Sequence, residues 1–276
     1  MTLCVAALCE DRSSPRIVIA TDWRAETSDA GGDVQDKLLW IGPNIPVLIA
    51  GTISRAIELR NTILQHFDSR EKQKLPPFRL SDVPDILRVP VVRFKRKLVG
   101  EYVGLRFGMS YSEFLDAIGT QKIPEQLAIE QLKAIQDIDQ DCCLIVCMFM
   151  EDKTPCVVRI DASGSLEVVH SFATIGSGST IADGVLFQRE HEGEDTLGST
   201  LYHVFEAMKL GSIAPGVGKD FIVDVLHPPD NQHPEVWGEM LSKKGKAFFE
   251  TQFKKRGPKP FTNFVKLPPG ILEQDF

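Results

Sequence analysis

The 276-residue chain is 43% hydrophobic and 25% charged, the balance of an ordinary globular protein long enough for one elaborated domain or two small ones. Its net charge of -7 speaks against a general affinity for nucleic acid or anionic membrane, since both need a basic field. No apolar run approaches the ~20 residues of a membrane helix, and the start lacks the basic region and cleavage pattern of a signal peptide, so a cytoplasmic location is expected. Six cysteines, Cys4, Cys9, Cys142, Cys143, Cys147 and Cys156, follow no metal-ligand spacing and read as buried free thiols.

In chain order, strands are expected at "TLCVAAL", at "RIVIATD" after a long turn "EDRSSP", and at "KLLWIG" and "IPVLIAG" around the turn "GPN". The stretch "SRAIELRNTILQHF" repeats its apolar residues at about 3.6 and predicts an amphipathic helix. Residues 68–140 read as a mostly helical layer, with "VVRFKRKLVGEYVGL" ambiguous in period and "YSEFLDAI" and "EQLAIEQLKAI" helical. Strands return at "CCLIVCMFM", "PCVVRIDA" and "SLEVVHSFATIG", with "EDKT" and "ASG" as hairpin turns. Two helices around 180–190 and "TLGSTLYHVFEAMKL" precede a buried strand "FIVDVL". The order of strands, helices, strands, helices and strand suits a four-layer αββα sandwich.

The segments "MTLCVAA", "RIVIATDWRAE", "VQDKLLWIG", "IPVLIAGTISRA" and "FATIGSGS" resemble the proteasome β-subunits and HslV-like proteases, a family of N-terminal nucleophile (Ntn) hydrolases. The resemblance covers roughly residues 2–68 and 140–226. It implies an α+β proteasome-like domain over 1–226, with a less typical helical layer at 68–140. A C-terminal extension at 227–276 would pack on the domain or on a neighbouring subunit.

Residue by residue, the resemblance makes Thr2 the nucleophile once Met1 is removed and matches Asp22 and Lys37 to the family's aspartate and lysine. It matches Gly51 to the glycine whose backbone N–H helps bind the oxyanion, and Ser177 to the serine near the threonine amine. A threonine hydroxyl is a poor nucleophile until a base takes its proton. A free α-amine, with an unperturbed pKa of ~7.7–8.0, serves as that base. A nearby lysine favours the neutral amine, and an aspartate keeps the lysine in place. Each residue also has a plainer explanation: Asp22 at a strand end, Lys37 as a solvated strand residue, "GSG" as a turn, Gly51 as a strand-to-helix connection.

The implied activity is a threonine endopeptidase acting on peptide or unfolded protein, without cofactor or metal, as a homo-oligomer with an unfoldase as partner. The family's Asp/Ser pair before the last core strand is not in register in "SIAPGVGKDFIVDV". A catalytically silent scaffold subunit therefore stays open, as does an amidase acting on a small amide.

Other motifs carry less. "GSGSTIADG" lacks the third glycine of a dinucleotide loop, and "GVGK" precedes a strand and has no Ser or Thr after Lys219. The histidines show no metal spacing, and His191, among acidic neighbours, reads as a solvated loop residue. The basic clusters "RFKRK" and "FKKRGPKPF" read as a solvated helix face or a subunit contact.

Overall fold

The computed structural model describes residues 2–12, 14–22, 37–75 and 79–258. The chain forms two compact units, Met1–Leu241 and Ser242–Phe276.

In the first unit β1 (Leu3–Asp11) and β2 (Ser14–Asp22) pair antiparallel from Cys4↔Thr21 to Asp11↔Ser14. The residues expected as a long turn are therefore mostly strand. The turn-forming Pro15 is tolerated because the ladder on the other side of β2, to β9 (Phe221–His227), starts only at Ile17. β3 (Leu38–Ile41) and β4 (Ile45–Gly51) follow, then α1 (Ile53–Lys72).

The helical layer consists of α2 (Val83–Phe107), α3 (Tyr111–Gly119) and α4 (Glu125–Gln136). The segment of ambiguous period lies inside α2. Its buried positions Leu87, Pro90, Val91, Phe94 and Leu98 form one helical stripe, while Arg93, Arg96 and Lys97 are exposed. The basic run "RFKRK" is thus largely a solvated face. Ser110 and Glu113 close a capping box at the start of α3, and Val103, Phe114 and Ile135 join the three helices in a small core of their own.

β5 (Cys142–Phe149), β6 (Pro155–Ile160) and β7 (Leu166–Val169) form a meander. The single strand expected at "SLEVVHSFATIG" is in fact two, β7 and β8 (Phe172–Gly176), and the chain changes sheets between them. After α5 (Ser179–Gln188), α6 (Leu197–Gly211) and β9, β10 (Trp237–Met240) pairs with β9. In the second unit α7 (Lys243–Arg256) is capped by Ser242, whose side chain accepts the Gly245 N–H at 3.1 Å.

Among the described residues the strands make two five-stranded antiparallel sheets, ordered β10-β9-β2-β1-β8 and β3-β4-β5-β6-β7. Strand alternation explains their double burial. β4 sends Val47 and Ile49 into a core with Leu59 and Ile63 of α1 and Leu87 and Phe94 of α2. Its Leu48 and Ala50 join Cys4 and Ala6 of β1, Ile19 of β2 and Ile175 of β8 in a core drawn from both sheets. The opposite face of β1, with Leu3, Val5 and Ala7 fully buried, is covered by α5 and α6. Among the described residues no helix is long and apolar enough to cross a membrane.

Candidate active site

Thr2 enters β1 with only 9% of its surface exposed. Its carbonyl faces the start of α5, where the Ser177 hydroxyl and the Gly178 N–H each approach it at 3.4 Å. The next peptide is fixed from the other side: Leu3 N–H donates to Asp22 Oδ1 at 2.8 Å. The same oxygen receives Lys37 Nζ at 2.7 Å, and Asp22 Oδ2 takes the Gly218 N–H at 2.8 Å. The Asp22 carboxylate therefore ties together the chain start, the entry to β3 and the segment before β9. Its side chain has no exposed surface and that of Lys37 only 10%, a charge pair almost wholly withdrawn from water.

Glycine is required at two places around Thr2 by close backbone approach. Gly176 has φ +100°, and a Cβ there would lie 2.1 Å from the Thr2 carbonyl oxygen. Gly51 has φ +92°, and its Cβ would meet the Asp141 carbonyl oxygen at 2.6 Å. The Asp141 backbone is held there because its carbonyl accepts the Thr52 N–H at 2.8 Å and its side chain accepts from the Thr52 hydroxyl.

A pocket of about 600 Å³ opens between the two sheets, lined by Thr2, Gly51, Ser177, Asp141, Arg159 and Asp161, among others. Thr2, Gly51 and Ser177 thus share one pocket, while Asp22 and Lys37 reach Thr2 through the Leu3 peptide. The acidic and basic lining groups were not picked out from the sequence. Arg159 lies in an otherwise apolar strand and pairs across the ladder with Glu167. Burial works to raise the Asp161 carboxyl, but hydrogen bonds from Ser163 and Ser165 outweigh it and hold the group below its ordinary range. Asp183 on α5 lies behind the lining residue Thr174, whose hydroxyl donates to it at 2.6 Å, and burial pushes its carboxyl above the usual range. The one local signal for Arg159 was a charge interrupting "CVVRI".

Cys4, one residue beyond Leu3, directs its thiol to the Ile49 carbonyl at 3.5 Å, and burial pushes that thiol far up. All six cysteines are free, and only Cys143 is partly accessible. Met1, residues 23–36 after Asp22 and the proline-rich end from residue 259 lie outside the described residues. His191, expected in solvent, is instead 4% exposed beneath β1, because the connection between α5 and α6 folds back onto Leu8. No protein-family model matches this chain, and no curated protein matches it significantly.

Proposed function

We propose that the chain is an N-terminal nucleophile hydrolase built as a four-layer αββα sandwich, cleaving peptide bonds through an acyl-enzyme on Thr2. After removal of Met1 the Thr2 amine takes the hydroxyl proton, and the hydroxyl oxygen attacks the carbonyl carbon of the scissile bond. The Lys37 cation, fixed by Asp22, favours the neutral amine, and the Gly51 N–H stabilises the oxyanion, a contribution of about 3 kcal/mol in other acyl-transfer enzymes. The proton then passes to the leaving amine, and water attacks the ester to free Thr2. Ser177 orients the threonine main chain.

The observation that carries this reading is the double tether of residues 2 and 3 at the pocket. The Thr2 carbonyl faces Ser177 and Gly178, and the Leu3 N–H is held by an aspartate that is itself paired with lysine. The reading includes a homo-oligomer, for which exposed Phe187 and Ile213, at 70% and 72%, are available to contact a second copy. An unfoldase would then deliver peptide or unfolded protein to enclosed sites.

Intact mass and a covalent probe test the reading together. The purified protein should lack Met1, hydrolyse a fluorogenic peptide panel and take up an epoxyketone or β-lactone on Thr2. An uncleaved N-terminal tag or Thr2→Ala should abolish both activities, and Thr2→Ser should retain part. A processed chain that neither hydrolyses nor labels would make it a silent scaffold. Hydrolysis of small amides without peptide cleavage would make it an amidase.

A further inference from the structure

A second cluster of ligating groups lies about 20 Å along β1 from Thr2, at ~3.3 Å per residue. His191 and Asp195 belong to the connection between α5 and α6, and His203 to α6 itself. His191 Nδ1 is 3.0 Å from Asp195 Oδ2 and 3.3 Å from His203 Nδ1, and His203 Nδ1 is 3.6 Å from the same carboxylate oxygen. Two donors of a tetrahedral ion with bonds of ~2.0–2.1 Å stand about 3.3 Å apart. The three separations straddle that value, so the groups already form one face of such a tetrahedron.

The hydrogen bonding around the cluster adds a second argument. His191 Nε2 lies 3.2 Å from the Leu8 carbonyl oxygen. A carbonyl has no proton to give, so Nε2 carries a hydrogen, and when the ring is neutral Nδ1 presents a lone pair. That lone pair faces the Asp195 carboxylate in a place where the His191 side chain has no exposed surface. Two electron-rich atoms at 3.0 Å repel unless a proton or a cation lies between them. A ligating histidine whose other nitrogen donates to a backbone carbonyl is the usual outer support of a metal site. Asp195 is steadied as well, by the Glu192 N–H at 3.3 Å on the same oxygen.

We propose that His191, Asp195 and His203 bind a divalent first-row transition ion of the Zn²⁺ class, with water as the fourth ligand. Two imidazoles and one carboxylate suit such an ion, whereas Ca²⁺ and Mg²⁺ favour oxygen ligands alone. The ion clamps the connection between α5 and α6 onto α6 and, through the His191–Leu8 hydrogen bond, onto β1. Asp195 at 30% and His203 at 14% side-chain exposure leave a way in from solvent. Its proposed role is to hold that connection in place, which does not depend on whether Thr2 is catalytic.

The test uses the full chain, stripped with chelator, desalted and titrated with Zn²⁺ against a chromogenic competitor. Wild type should retain one Zn²⁺ per chain and show a raised thermal midpoint. His203→Gln and Asp195→Asn should each weaken binding by ~100-fold and lose the thermal response, with unchanged circular dichroism. Co²⁺ in place of Zn²⁺ should give the visible absorption of a tetrahedral site in wild type alone. Retention of under about a tenth of an equivalent by wild type would overturn the proposal. So would equal retention by both variants, or an equal thermal response to Ca²⁺. Wild-type retention below that threshold overturns the proposal even if a variant does not fold.

Discussion

Replacing Lys37 by methionine removes the cation and keeps most of the side-chain volume. Asp22 would remain in a site with no side-chain exposure, its carboxylate held, among the described residues, by the N–H groups of Leu3 and Gly218. Breaking a buried ion pair by deleting one partner costs ~3–5 kcal/mol, and the two surviving backbone donors place this case near 3. At ~2–3 °C per kcal/mol for a chain of this size, the thermal midpoint should fall by roughly 6–9 °C. Asp22→Asn should be comparably harmful, because it strands the lysine and turns an amide N–H toward that of Gly218. The double variant should be more stable than the sum of the two losses by about 2 kcal/mol, since neither charge is then left alone. Reversible urea or thermal unfolding followed by circular dichroism measures all three. Additivity within ~0.5 kcal/mol would refute the coupling, as would a midpoint for Lys37→Met within ~2 °C of wild type. Activity of these variants is to be read well below their lowered midpoints, so that lost chemistry is separated from lost fold.

Gly176→Ala should destabilise by ~3 kcal/mol or more, since φ +100° disfavours any L side chain and the added Cβ would lie 2.1 Å from the Thr2 carbonyl oxygen. Gly184→Ala, on an exposed turn of α5 with nothing within 4 Å of its Cβ, should instead be neutral or stabilise by ~0.5–1 kcal/mol; similar urea midpoints for the pair would contradict the backbone argument. Thiol titration at pH 8 should find Cys143 the first to react in the native protein, although burial raises its thiol as well, and all six cysteines reactive in denaturant. Burial pushes Cys9 up to about 11 and Cys142 and Cys156 to about 12, so they carry little reactive thiolate. Two or more fast native thiols would be inconsistent with the packing.

Much of the element order was legible because strands β1, β2 and β4 are dense apolar runs and α1 repeats its apolar residues on one face. The misreadings share a cause: local sequence does not say what a segment pairs with. Ser14 and Pro15 carry turn chemistry, yet they extend a ladder because β1 continues opposite them. Nothing in "VVHSF" marks a break, yet Val169 pairs with β6 and Phe172 with β1. The acidic neighbours of His191 suggested water, but only the return of the connection onto Leu8 decides its burial. In the candidate site, the motif-bearing positions Thr2, Asp22, Lys37, Gly51 and Ser177 could be named in advance. Asp141, Arg159 and Asp161 could not, since they become neighbours of Thr2 only when the sheets meet.

The start of β1 is more constrained than a strand end requires, and the constraints differ in what they explain. Leu3 is fully buried where Gly178 and Gly211 have no side chain, and a Cβ on Gly211 would come within 2.3 Å of it. Those glycines and Gly176 account for how the main chain of residues 2 and 3 is seated, and a silent scaffold would need them equally. The Asp22–Lys37 pair is different. A buried ion pair is commonly no more stable than apolar residues of the same volume, so packing gives no reason to set two charges beneath the second and third residues of the chain. Leu3 N–H needs an acceptor, but a backbone carbonyl or an asparagine would serve as well. A cation fixed on the aspartate that holds the Leu3 N–H has a use if the threonine amine must stay neutral while its hydroxyl is activated. Positioning within a fraction of an ångström is what such chemistry needs from its surroundings. The costly pair, more than the glycines, therefore favours the catalytic reading over the scaffold.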